Sequence, residues 1–107
     1  MVKILKMISN YNNSSRNGNS IKYIVMHYTG NKGDTARNNA VYFSGGDRNA
    51  SAHYFVDNTE IYQVVEDARA SWNCGDGKGK YGITNQNSIS IEMCCDSNGN
   101  ISTQTEN

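Results

Sequence analysis

The sequence predicts an α/β fold in which helices flank a β-sheet, and three observations lead to that expectation. In residues 21–28, β-branched and aromatic side chains occupy both parities, which is typical of a strand covered on both faces. A polar loop and a helical pattern of apolar residues follow. Two β-rich runs, 51–57 and 60–66, then flank a short turn. This order of strand, helix and hairpin indicates a sheet with helices on its faces.

The length and charge of the chain limit the classes of function it can have. Its 107 residues suffice for one small domain, and only 36% of them are hydrophobic. Ten basic residues balance ten acidic ones, so no electropositive surface for a nucleic-acid partner is expected. No segment approaches the ~20 apolar residues of a membrane span, and the N-terminus shows no signal-peptide pattern. We therefore expect neither a membrane partner nor a secretory signal.

The first part of the chain is predicted to be a lead-in, a central strand and a helix. Residues 1–20 form an irregular lead-in, because the Asn, Ser and Gly residues in 8–20 cannot bury apolar surface. Residues 21–28 form the central strand. Asp34 or Thr35 can cap the helix, and its apolar positions have helical spacing. These positions are Ala36, Ala40 and Phe43, and Gly45 and Gly46 end the helix.

The second part is predicted to be a hairpin, a long loop and a last strand. The two runs of the hairpin join across Asn58 and Thr59. Residues 67–87 show no sustained periodicity, and loops of that length tend to be functional. In 88–94, Ile and Met alternate with Ser, Glu and Cys, which indicates a half-buried strand. Because the chain supplies one convincing helix for two sheet faces, part of the fold is expected to be missing after Asn107.

Two side chains are the leading candidates for chemistry. His27 stands at the carboxyl end of the first strand, where open α/β sheets bind ligands. Taken alone, it is compatible with a hydrogen-bonded core histidine, a general base or a metal ligand. Glu92 lies in an otherwise apolar strand, on the same face as Ser90 and Cys94. It is either a charge on a half-exposed face or a general base.

Two further residues have a structural and a functional interpretation. His53 alternates with Ala52 and Tyr54 in the hairpin strand, which favours a buried histidine bonded to backbone. Trp72 can line a groove for sugar or peptide, or cover a small core of its own loop.

The cysteines favour reduced thiols over a disulfide framework. Cys94 and Cys95 are adjacent, and with Cys74 they make an odd number. A thiol hydrolase that pairs one of them with His27 or His53 is disfavoured, since nothing nearby in the sequence would lower a thiol pKa.

Four segments, taken in order, resemble one enzyme family. They are IKYIVMHYTG, the helical NNAVYF, RNASAHYFVDNTEIYQVVEDARASWNCG and NQNSISIEM, and they cover roughly residues 20 to 100. On these motifs the chain resembles the zinc-dependent N-acetylmuramoyl-L-alanine amidases of the amidase-2 type. This family includes phage endolysins and autolysins and is related in fold to peptidoglycan recognition proteins. The resemblance implies a mixed central β-sheet flanked by helices, with residues 21–107 as the N-terminal portion of the catalytic domain.

The resemblance also implies what the candidate residues do. His27 would be the first zinc ligand, and Glu92 the general base beside the metal. His53 would support the site without binding zinc, and Trp72 and Asn73 would contact substrate. In such a site zinc polarises the amide carbonyl and lowers the pKa of bound water toward ~7. The bond cut joins N-acetylmuramic acid to the L-alanine of the stem peptide, so the implied partner is cell-wall peptidoglycan.

The sequence departs from the family pattern in three places. Asn73 stands where the family usually has His, and Ser90 stands where Gly is common before Ile-Glu. The family's second zinc His and its third ligand, Cys or Asp, would follow Asn107. We therefore expect a fold whose C-terminal part is missing and a zinc site that is incomplete in this chain.

Two functions remain open on these grounds. The first is a peptidoglycan amidase, or a fragment of one, made in the cytoplasm and acting on the wall after endolysin-like release. The second is a non-catalytic peptidoglycan-binding module that keeps the groove and has lost the metal.

Overall fold

The computed structural model describes residues 4–29, 33–48, 50–72 and 83–95 of the chain. These ranges contain seven strands, one α-helix and one 3₁₀ helix. In chain order they are β1 (Ile4–Lys6), β2 (Asn13–Ser15), β3 (Tyr23–Tyr28), α1 (Ala36–Ser44), β4 (Tyr54–Val56), β5 (Ile61–Gln63), β6 (Arg69–Ser71), the 3₁₀ helix (Asn85–Asn87) and β7 (Ser88–Met93).

The main sheet has five strands in the order β1, β5, β4, β7, β3. Only the β4–β5 hairpin is antiparallel, whereas β1 pairs with β5, and β7 with both β4 and β3, in parallel. Strands β2 and β6 form a separate antiparallel pair. The predicted α/β fold with a mixed sheet is therefore confirmed.

Helix α1 begins at a well-formed cap. The Thr35 hydroxyl accepts a hydrogen bond from the backbone N–H of Asn38 at 3.0 Å. Thr35 is thus the capping residue that the sequence allowed, and Asp34 instead accepts from the side chain of Asn39 and the backbone of Cys95. The helix ends at Gly45, as predicted.

Small side chains let the helix approach the sheet closely. Ala36 and Ala40 are fully buried, and the rings of Phe43 and Phe55 stack with their centroids 5.3 Å apart. Through these contacts α1 covers β4 and β5 on one face of the sheet.

The opposite face is apolar and open at its β3 side. Ile24, Met26 and Tyr28 share that face and are 68%, 53% and 64% exposed. In the described ranges no second helix long enough to cover it is present, and none is long and apolar enough to cross a membrane.

The prediction that residues 21–28 form a central strand covered on both faces is wrong. Among the strands of the described ranges, β3 lies at the edge of the five-stranded sheet, and β7 is the strand with two parallel neighbours. A dense apolar run predicts a strand but does not fix its place in a sheet. In β7 the serine side is the buried one, because Ser88 and Ser90 are 4% and 2% exposed.

The irregular lead-in predicted for residues 1–20 also requires correction. The segment supplies β1 and β2, and it buries the polar side chains of Ser9, Asn12 and Arg16. Asn12 adopts a left-handed φ of 61° and donates to the carbonyls of Phe43 and Gly46. A polar run can be ordered in this way when its side chains satisfy backbone groups of other elements.

Candidate functional site

The two leading candidates lie opposite each other on neighbouring strands. The parallel β3–β7 register pairs His27 with Glu92 near the carboxyl ends of both strands. His27 Nδ1 stands 4.0 Å from Glu92 Oε1, and the side chains are 44% and 20% exposed. The distance is too long for a hydrogen bond but within the range of a charge interaction. The imidazole therefore stays accessible beside a carboxylate that is largely shielded from water.

The surroundings of Glu92 differ on its two sides. In the register its other neighbour is Phe55 of β4, which is 1% exposed and belongs to the apolar core. The carboxylate thus lies between an aromatic core residue and an imidazole. Such a position suits a group that exchanges protons at the rim of a site.

A cleft of about 460 Å³ opens where β4 and β7 end, at the N-terminus of α1. Asp57 and Asp34, which line it, already accept hydrogen bonds from the backbone of Ala36 and Cys95 respectively. A second cleft of about 270 Å³ runs along α1. It is lined by Asp34, Asn38, Asn39, Tyr42 and Phe43. Amide and hydroxyl groups beside aromatic rings are suited to binding a carbohydrate or a peptide.

His53 is completely buried, and both of its ring nitrogens have neighbours. Nδ1 is 3.1 Å from the backbone nitrogen of Ser90, and Nε2 is 2.7 Å from the carbonyl of Arg69. Burial lowers the pKa of His53, with the Arg69 carbonyl opposing and the charge of Arg16 adding to that effect. The histidine is therefore held neutral inside the protein, which agrees with its structural interpretation.

Trp72 is partly buried and contacts the second sheet. Its indole N–H donates to the Ser14 hydroxyl at 3.2 Å, and its backbone exchanges hydrogen bonds with Ser51. Asn73, for which the family resemblance implied a substrate contact together with Trp72, lies outside the described residues.

The described thiols are poorly suited to catalysis. Cys94 and Cys95 are buried and free. Burial, followed by the charges of Asp34 and Asp57, raises the pKa of the Cys94 thiol well above its usual value. A thiolate is the reactive form, so these contacts count against the thiol hydrolase. Cys74 lies outside the described residues.

Arg16 is a buried residue that no pattern in the sequence singled out. It lies in a run of Asn, Ser and Gly, yet it is only 7% exposed. Its guanidinium donates to three backbone carbonyls and reaches His53. No local pattern signals such a role, because its partners come from distant parts of the chain.

The described residues do not by themselves form a zinc site. Across ranges 4–29, 33–48, 50–72 and 83–95, no group of three or more His, Cys, Asp or Glu side chains is placed to hold a metal ion. His27 offers one accessible imidazole, whereas a catalytic zinc usually has three protein ligands.

Comparison with known proteins gives a consistent result. A family model described as N-acetylmuramoyl-L-alanine amidase matches residues 17–106. The N-acetylmuramoyl-L-alanine amidase CwlL of Bacillus licheniformis is 34% identical over 98% of this chain and 33% of its own length. The amidase XlyA of Bacillus subtilis is 38% identical over 79% of this chain and 28% of its own length. The chain thus spans about a third of the length of these curated relatives.

Solved structures resemble the fold as well. A mutant endolysin from Bacillus subtilis superposes with a TM-score of 0.78 at 31% identity, covering 98% of this chain and 68% of that one. The catalytic domain of XlyA gives a TM-score of 0.73 at 33% identity, covering 90% and 63% respectively.

Proposed function

Since this chain belongs to the N-acetylmuramoyl-L-alanine amidase family, we propose that it hydrolyses the amide between N-acetylmuramic acid and the L-alanine of the stem peptide in peptidoglycan. The observation that carries the proposal is the parallel register that pairs His27 with Glu92 at the rim of the sheet. Both residues lie inside the segment that matches the family.

Glu92 is the general base in this proposal. Its carboxylate takes a proton from the attacking water, whose oxygen forms the new bond to the amide carbon. The same proton then passes to the leaving nitrogen as the C–N bond breaks, so that an acid and an amine are released. The shielded position of Glu92, between Phe55 and His27, supports this role.

His27 is the proposed first zinc ligand. Its accessible imidazole, 4.0 Å from Glu92, is compatible with that role, and further ligands have to come from outside the described residues. The proposed mechanism therefore assigns only the proton transfers of Glu92 and no step at the metal.

Substrate contacts are proposed for the second cleft and for Trp72 and Asn73. The polar and aromatic side chains that line this cleft along α1 form a surface to which a glycan or its peptide can bind. The proposed place of action is the bacterial cell wall, reached after synthesis in the cytoplasm by endolysin-like release.

A non-catalytic wall-binding module is the second candidate. It is favoured by one observation, namely that the described residues bring together a single imidazole and no complete ligand set. Such a module would bind peptidoglycan through the same clefts without cleaving it.

The Glu92→Gln variant tests the leading proposal. Incubation with purified sacculi in buffer that contains zinc should release new amino termini in the wild type, and about 100-fold more slowly in the variant, the usual loss when a general base is removed. Glu66→Gln, at an exposed carboxylate, is the control and should keep wild-type activity.

Two results would contradict this assignment. Full activity in Glu92→Gln would remove Glu92 from the role of base. Sacculus binding by the wild type without release of amino termini would favour the binding module.

A further inference from the structure

A buried polar cluster ties the N-terminal segment to the start of β7. Arg16 Nε donates to the Asp67 carbonyl at 2.9 Å. Its Nη1 donates to the carbonyls of Gln86 and Ser88, at 2.9 and 3.0 Å. One side chain thus holds three backbone carbonyls, and one of them belongs to Ser88, the first residue of β7.

His53 holds β7 two residues further along. Its ring atom Nδ1 accepts from the backbone N–H of Ser90 at 3.1 Å. The backbone N–H of His53 points at the carbonyl and hydroxyl oxygens of Ser90, at 3.1 and 3.2 Å. The Ser90 hydroxyl is also 2.7 Å from that of Ser71 in β6. Both the donor and the acceptor of the Ser90 backbone are therefore engaged by one buried histidine.

The contacts of His53 identify its tautomer. Because Nδ1 faces a backbone N–H, it carries the lone pair, and Nε2 carries the hydrogen that is donated to the Arg69 carbonyl at 2.7 Å. Arg16 Nη2, 3.1 Å from Nε2, is then a close neighbour and not a hydrogen-bond donor to the ring. The imidazole has a distinct partner in β7 and another in β6.

These hydrogen bonds add to a short pairing between β4 and β7. The two strands share three register pairs, Tyr54 with Ile91, Phe55 with Glu92 and Val56 with Met93. Apolar packing alone tolerates a slip by two residues, since the same side chains keep the same face. Hydrogen bonds to the backbone of Ser88 and Ser90 oppose such a slip.

We propose that the buried cluster of Arg16, His53 and Ser90 is a positioning device that fixes the register of β7 against β4. It thereby holds the Glu92 carboxylate next to Phe55, at the point where the pairing of β7 with β3 sets it opposite His27. This inference rests on the proposed function, in which Glu92 is the base. Arg16 and His53 act through strand β7 and do not touch the substrate.

Two matched variants of His53 separate the contacts to the two strands. In Asn the amide oxygen lies as many bonds from Cβ as Nδ1 does, so His53→Asn can still accept from Ser90. In Gln the amide nitrogen matches Nε2, so His53→Gln can still donate to Arg69. Each variant loses one contact of a buried ring, so both should be destabilised to a similar extent.

Native-state hydrogen exchange of the 107-residue chain provides the decisive measurement. In His53→Gln, amide protection in β7 should fall about tenfold more than in β5, because β7 opens locally. In His53→Asn, the two strands should lose protection by similar factors. With sacculi in buffer that contains zinc, kcat should fall about tenfold in His53→Gln at an unchanged KM, and should stay within about threefold in His53→Asn.

The result that overturns the proposal is a uniform loss of protection in His53→Gln, equal in β7 and β5, because that pattern indicates a purely structural role. If His53→Gln does not fold, the same exchange measurement is made on Arg16→Lys, which keeps the charge but cannot donate to all three backbone carbonyls. A local loss of protection in a protein without amidase activity would support the positioning role and contradict the proposed function, so the two failures are distinguishable.

Discussion

The side chain of Asp57 connects the β4–β5 turn to the start of helix α1. Its Oδ1 accepts from the backbone N–H of Thr59 and Glu60 inside the β4–β5 turn, and its Oδ2 accepts from the N–H of Ala36 at the start of α1. Burial alone would raise the pKa of Asp57, but these donors together outweigh it and hold the pKa below its usual value. The ionised carboxylate is thus part of the folded structure.

The Asp57→Asn variant should therefore lose stability in a pH-dependent way. A depressed pKa means that the carboxylate stabilises the fold above the pKa of the unfolded chain, and that this contribution disappears as pH falls through the folded value. We expect a loss of about 1 to 2 kcal/mol at pH 7, the cost of weakening hydrogen bonds to a partly exposed charged group. The difference should narrow as pH falls from the ordinary aspartate pKa of ~3.9 through the lower pKa of the folded protein. Thermal unfolding of both proteins between pH 3 and pH 7 measures it.

Glu66→Gln is the matched control for this series, because Glu66 is an exposed acid near the same hairpin. A pH-independent difference between wild type and Asp57→Asn would contradict the assignment.

At the scale of single residues, the sequence singled out candidates by residue type and local pattern, and it missed a side chain whose partners are distant backbone groups. His27 and Glu92 were each candidates by their place in a strand, and the family resemblance put both in one site. The parallel register of β3 and β7 sets them opposite each other. Arg16 could not be predicted, since its partners Gln86 and Ser88 lie across the fold. Burial of an arginine in a polar run leaves no periodic signal.

At the scale of elements, α1 depends on its first turn. The helix has only nine residues, so its N-terminal contacts matter for its stability. The Thr35 hydroxyl satisfies the Asn38 N–H, and Asp57 satisfies that of Ala36.

Thr35→Ala should destabilise the protein by about 1 kcal/mol, the usual effect of removing a capping hydroxyl. Thr35→Ser keeps the hydroxyl and should remain close to wild type. Urea denaturation of the three proteins provides the comparison, and equal midpoints for the Ala and Ser variants would show that the cap contributes nothing.

The strands show where element prediction succeeds and where it fails. The hairpin and β7 follow from alternation and turn residues, which are local features. The edge position of β3 and the existence of β1 and β2 depend on pairing with remote partners. A three-residue strand such as β1 is too short to show a recognisable alternation of apolar and polar residues. Its strand conformation depends on its pairing with β5, which is distant in the sequence.

At the scale of the whole molecule, the chain is expected to bind zinc weakly. His27 is one imidazole, and no group of three suitable side chains occurs in the described ranges. After dialysis against zinc and then buffer, metal analysis should give much less than one zinc per chain, and less still for His27→Ala. One tightly held zinc in the wild type would show that the site is complete within these 107 residues.

The parallel pairing of β3 with β7 also determines when the site can exist during folding. His27 comes from the first third of the chain and Glu92 from its end, with the helix and the hairpin between them. Closing so long a loop is slow compared with forming a helix or a hairpin. A growing chain can therefore form α1 and the β4–β5 hairpin before β7 has been synthesised. The pair acquires its geometry only once β7 has paired with β3, so a chain in which β7 is not yet in place does not hold the two residues together.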